Sequence, residues 1–177
     1  DVKGDGKTCY PSCLLKPYPA AVENYLWNVR KKEGGEEKAY KLADEIYAKE
    51  KGTGSKLEAR LLRFIGRYYQ YGIIVKKDVY KALDLYEQAI KIDEAEKGRA
   101  GAYIGAIYKN GDGVDVNYDK ARDYLFAAAN SGNKNSFFNL EYVLSAGDKE
   151  KSCAKTSYAL LRCCVEQDKR NSSALNN

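Results

Sequence analysis

The chain contains no histidine. That absence removes Ser-His-Asp triads, Cys-His dyads and histidine-ligated metal sites together. Methionine is absent too, even at the first position, so a chain opening on Asp1 reads as a processed or trimmed product. Removal of a signal peptide accounts for such a start, and so does a chosen boundary. No apolar run approaches the ~18 residues that a membrane-spanning helix requires. Cysteine is missing from the whole middle of the chain: Cys9 and Cys13 stand at one end, Cys153, Cys163 and Cys164 at the other. Thiols placed only at the ends read as staples formed in an oxidising compartment; the alternative is a cytosolic protein with scattered free thiols.

What is present fits one domain or one short solenoid of 177 residues, with 44% hydrophobic residues for a core. The net charge of +5 is small, and acids are interspersed with bases, so charge does not point to nucleic acid. The organising feature is a repeat. Gly66-Arg67-Tyr68-Tyr69-Gln70-Tyr71-Gly72 and Gly105-Ala106-Ile107-Tyr108-Lys109-Asn110-Gly111 both read Gly-x-x-Tyr-x-x-Gly, 39 positions apart. The same offset carries Val75 onto Val114, Lys81-Ala82 onto Lys120-Ala121 and Ala89 onto Ala128. Self-similarity at this period predicts stacked helical hairpins, whose function usually lies in a surface.

Helical spacing fills in the hairpins. Residues 1–17 predict an irregular arm. Val22, Tyr25, Leu26 and Val29 form one apolar stripe, and Ala39, Leu42, Ala43 and Ile46 a second, closed by Gly52-Thr53-Gly54. A third helix spans about 56–71 with Gly72 as C-cap, and a fourth follows Asp78 as N-cap. A fifth runs over about 98–110, a sixth from near Asn117, a seventh over about 136–146 and an eighth over about 150–167, before a frayed tail at 168–177. The predicted repeats are thus 18–52, 57–95, 98–132 and 135–167, an all-α arrangement. Gly66 and Gly105 fall mid-helix, where glycine costs ~1 kcal/mol relative to alanine. Their recurrence predicts a helix contact too close for a Cβ, with Tyr69 and Tyr108 filling the wedge between hairpins.

Residues 102–114, then Tyr118-Asp119-Lys120-Ala121 and Ala127-Ala128-Ala129-Asn130-Ser131-Gly132, resemble a full Sel-one-like repeat, of the tetratricopeptide-like branch of α-solenoids. Residues 57–90 resemble a second, with Ile73-Ile74 where the family carries a loop glycine. In the fourth hairpin Glu141 and Leu144 replace the glycine and tyrosine, and the first keeps only Lys38-Ala39 and periodicity. Specific motif coverage is about 57–132. The resemblance implies an α/α right-handed solenoid of about four hairpins, without enzymatic activity or cofactor, acting as an adaptor or binding protein. It suggests an exported protein of the bacterial periplasm, monomeric or weakly dimeric. Its most concrete form is an immunity protein that occludes a secreted antibacterial toxin, such as a lipase effector of type VI secretion. The alternative is an envelope scaffold or regulatory adaptor.

In such solenoids the first helix of each hairpin lines the concave face. Outward or groove-facing positions are then Arg63, Phe64, Arg67, Tyr68 and Tyr71, with Tyr103 and Ile107 one repeat later and Asn139 and Tyr142 in the degenerate repeat. Aromatics and arginines of this kind dominate protein interfaces, and the chain has 16 tyrosines against 4 phenylalanines. The competing reading packs several of these aromatics inside and leaves the arginines solvated. Asp112, Asp115 and Asp119 lack the glutamate that closes an EF-hand loop. Ser131 with Lys134 and Ser152 with Lys155 form Ser-x-x-Lys pairs without partner motifs. Four layers at ~10 Å keep the two chain ends ~30 Å apart, so cysteines pair across the ends only if the N-terminal arm runs along the stack. Cys9 can close a small loop with Cys13. Cys153 reaches Cys163 or Cys164 only if the last helix starts late. With five thiols, one stays free or pairs between chains.

Overall fold

The structure, a computed structural model, describes residues 19–147. All five cysteines, the arm, the eighth helix and the tail fall outside these residues. Seven α-helices follow in order: α1 (Pro19–Arg30), α2 (Gly35–Glu50), α3 (Lys56–Tyr71), α4 (Val79–Ile92), α5 (Ala100–Asn110), α6 (Tyr118–Asn130) and α7 (Lys134–Gly147). A 3₁₀ turn over Glu94–Gly98 separates α4 from α5. Among the described residues there is no strand, and no helix is long and apolar enough to cross a membrane.

The helix ends repeat as the sequence does. Asp78 caps α4 by accepting from the Lys81 amide, and Asn117, one repeat on, caps α6 by accepting from the Lys120 amide. Gly72 and Gly111 close α3 and α5 in the left-handed region, at φ 67° and 68°. The Asp78 amide donates to the Tyr69 carbonyl and the Asn117 amide to the Tyr108 carbonyl, both at 2.9 Å. These bonds fold each second helix back on its first. At the start of α3, Ser55 accepts from the Glu58 amide, while the Glu58 carboxylate accepts from the Gly52 and Gly54 amides. The serine satisfies one amide that the helix leaves orphaned, and the glutamate ties down the loop before it.

Packing explains the two mid-helix glycines. A Cβ on Gly66 would lie 2.7 Å from the Tyr86 ring, and one on Gly105 would lie 2.5 Å from Leu125 Cγ. Tyr86 is fully buried, and its hydroxyl donates to Gln70 at 2.7 Å. The core runs along the stack in linked clusters, across α1–α3, then α4–α5, then α6–α7. Tyr69 packs against the first and second clusters and Tyr108 against the second and third. Both tyrosines therefore bridge layers, each under a lysine of its own hairpin: Lys81 Nζ lies 4.0 Å from the Tyr69 ring and Lys120 Nζ 5.0 Å from the Tyr108 ring.

Two local expectations change. Tyr25, assigned to the α1 stripe, is exposed, while Val22 and Leu26 are buried. The missing loop glycine at Ile74 leaves a backbone mark. Ile74 sits at φ 66°, where its counterpart Gly113 sits at φ 78°. The loop geometry is kept, and a β-branched residue carries it at a steric cost.

Candidate groove on the concave face

The first helices of the hairpins, α1, α3, α5 and α7, converge on one groove of about 510 Å³. Asn24 and Trp27 come from α1, Tyr71 from α3, Ala102, Tyr103 and Ala106 from α5, and Asn135 and Asn139 from α7. Arg99 and Asn133 also line an adjoining hollow of about 380 Å³, together with Arg60 and Glu96.

A charged network forms the groove floor. Glu23 on α1 accepts from Arg63 Nη2 at 2.5 Å, Arg60 Nη1 at 2.6 Å and Arg99 Nη1 at 3.3 Å. The Trp27 indole N–H points to the same carboxylate at 3.4 Å. Arg63 Nε donates to Glu96 at 2.5 Å, and Arg63 is only 2% exposed. Burial works against the ionised Glu23 carboxylate. The charge and hydrogen bond of Arg63, with Arg99 and Arg60, outweigh it and hold Glu23 below its ordinary 4.5. Glu96 reaches Arg63 because the 3₁₀ turn lengthens the link between α4 and α5. The link between α6 and α7 is only Ser131–Asn133.

One turn beyond Arg63 lies a different kind of arginine. Arg67 has no acidic partner among the described residues, and its buried Nε–H finds no acceptor. Its Cζ stands 4.5 Å from the Trp27 ring, 5.5 Å from Tyr103 and 5.6 Å from Tyr71. All three rings line the groove. Ring faces attract the cation without using its in-plane donors. Trp27 also lies under the Arg30 guanidinium at 4.4 Å, with Phe64 edge-on at 5.4 Å. Tyr103 stacks on Tyr86 at 5.4 Å.

The structure divides the residues expected to face the groove. Tyr71, Tyr103 and Asn139 line it, and Arg67 sits among its rings. Arg63 also reaches it, as a buried and doubly paired floor residue. Phe64, Tyr68 and Ile107 do not face outward: they are 1%, 2% and 1% exposed, in the core. Helix α3 touches α1, α2 and α4. Positions one step off its core stripe are therefore covered too. The Tyr68 hydroxyl donates to the Glu36 carbonyl at 3.2 Å, and burial raises its pKa. Tyr142 is exposed but lies beside the groove, under Lys109 Nζ at 5.2 Å, while Lys109 donates to Asn139 at 2.7 Å. Sequence reading missed Glu23, Asn24, Trp27, Glu96 and Arg99. The stripe next to the core stripe of α1, with Glu23 and Trp27 four apart, was the available signal. Three further candidates have ordinary roles, while Ser152 and Lys155 lie outside the described residues. Asp112 pairs with Lys77, Asp119 with Arg122, and the Ser131 hydroxyl caps α6 on the Ala127 carbonyl.

Comparison with known proteins agrees with this architecture. Two segments match the Sel1 repeat, residues 60–93 and 100–133. They coincide with the second and third hairpins from Arg60 onward. A solved Sel1 repeat protein from Oxalobacter formigenes superposes with a TM-score of 0.61 at 24% identity, over 84% of this chain and 58% of that one. That likeness establishes the fold, an all-helical solenoid of Sel1 type. Alginate biosynthesis protein AlgK of Azotobacter vinelandii is 29% identical over 111 residues. The match covers 63% of this chain and spans only 23% of the length of that relative.

Proposed function

We propose that this solenoid is a non-enzymatic protein-binding module and that the concave groove is its binding surface. The observation that carries the reading is the convergence of all four first helices on one groove rimmed by rings, against which an arginine without an acidic partner packs. Interface hot spots are built from such aromatic and arginine side chains. The one groove-lining carboxylate, Glu23, is tied to three arginines and held ionised, which suits a structural brace and not a proton donor. Repeats of this family generally serve protein–protein interaction, which supports the same conclusion.

Among finer roles, an adaptor in an assembly of the bacterial envelope is favoured by the partial similarity to a protein of alginate biosynthesis. A periplasmic immunity protein that occludes a secreted toxin is the second reading; a groove formed by all four first helices suits it as well. Filling the groove tests the module. With the wild-type chain as bait in extract of its source cells, a partner should be retained, and Asn135→Trp, at an exposed groove position, should lose it. Retention of the same partner by the filled variant overturns the groove reading. Loss of survival by a deletion strain under attack by toxin-bearing neighbours would select immunity over the adaptor.

A further inference from the structure

Building on the protein-binding reading, we infer that the groove recognises an acidic segment of its partner, an extended stretch whose carboxylate is received by Arg67 and Arg99. The acidic side chains lining the two adjoining hollows are, among the described residues, Glu23 and Glu96. Both are committed to Arg63, and Glu23 also to Arg60 and Arg99. Three arginines thus meet two glutamates, and Arg67, packed against the groove's rings, adds a fourth positive charge without an acid.

Arg63 has both edges in use and is buried. Arg67 is ringed by Trp27, Tyr71 and Tyr103, which confine its guanidinium, while its Nε has no protein acceptor. A planar guanidinium held in this way is preorganised for a carboxylate, which accepts in the plane of the fork. Arg99 offers a further cation, half-exposed, with only a 3.3 Å contact to Glu23. The side-chain amides of Asn24, Asn135 and Asn139 line the same groove. They carry both donors and acceptors and match the backbone of an extended peptide. A sugar polymer bearing carboxylates fits less well. Two guanidinium groups already pack on Trp27, which leaves less of the indole for a sugar ring.

A random linear peptide library displayed on phage tests this. Selection on the intact protein should enrich sequences rich in Asp or Glu. A selected peptide measured by fluorescence anisotropy should bind roughly tenfold or more weakly when its acid is changed to the amide, a change that leaves the protein untouched. Arg67→Gln and Arg99→Gln should each weaken the acidic peptide and leave its amide form unaffected, Arg67→Lys should restore part of the loss, and added salt should weaken binding. Groove-dependent binding of neutral or basic peptides, lost in Asn135→Trp but indifferent to both arginine changes, overturns the acidic preference and leaves the binding groove standing. Binding indifferent to Asn135→Trp overturns the groove itself. Failure to enrich acidic sequences, with binding of an oligouronate instead, overturns the protein partner.

Discussion

Helices α3 and α5 occupy equivalent places in successive hairpins, yet they treat the groove differently. On the packing side they agree: glycine at 66 and 105, a bridging tyrosine at 69 and 108, a left-handed glycine cap at 72 and 111. On the groove side Arg63, Arg67 and Tyr71 of the first become Ala102, Ala106 and Asn110 of the second. The alanines clear space, and the arginines on the opposing helix work across it. The positions that make the fold are therefore those that repeat, and the positions that make the surface are those that differ. Within α3 the contrast sharpens again: Arg63 is buried between two glutamates, while Arg67, one turn on, meets only rings.

The largest effect should come from breaking the paired arginine. Arg63→Ala leaves Glu96, 2% exposed, without its cation. About 3–5 kcal/mol of stability should disappear in urea unfolding. The counterpart change Ala102→Arg, at a groove-lining position, should stay within about 0.5 kcal/mol. A mild phenotype for Arg63→Ala would show that the floor network is not a structural brace. Next come the glycines. In Gly66→Ala the new Cβ meets the buried Tyr86 ring, and in Gly105→Ala it meets Leu125. Overpacking of about 1–3 kcal/mol should exceed the ~1 kcal/mol that alanine gains in a helix, so both should destabilise.

The Glu23 carboxylate predicts a pH dependence confined to the floor. Its pKa is lowered in the folded state, so its stabilisation is full above the ordinary 4.5 and is lost as pH falls through the lowered value. Thermal unfolding followed across that acid range should show a decline that is shallower in Glu23→Gln. The smallest effect should be a gain. Ile74→Gly relieves the left-handed strain seen at φ 66° and should stabilise by up to about 1 kcal/mol, since the same turn in the next hairpin carries Gly113. A loss of stability there would mean that Ile74 contributes contacts that its exposure does not suggest.

The sequence carried the fold farther than the site. Hairpin boundaries were legible because caps and turns depend on a few local residues: Asp78, Asn117, Gly72 and Gly111 stand where the helices begin and end. The close contacts at Gly66 and Gly105 were legible because a costly residue recurred at one repeat position. Groove membership was legible for Tyr71, Tyr103 and Asn139 and misread for Phe64, Tyr68 and Ile107. Periodicity gives the direction of a side chain on its own helix; it does not say how many other helices surround it. The Glu23–Arg63–Glu96 brace was invisible for a related reason. It joins residues 33 and 40 positions apart through a 3₁₀ turn that interrupts the repeat.

The central claim, that the partner meets the concave groove, is most directly tested by photocross-linking in the source cells. A photoreactive residue placed at Tyr71 on the groove rim and, separately, at Tyr80, 72% exposed on α4, samples the groove-lining and second-helix sides of the same hairpin. The account predicts a discrete adduct with one partner protein from Tyr71 and none from Tyr80. An adduct from Tyr80 with Tyr71 silent would contradict it.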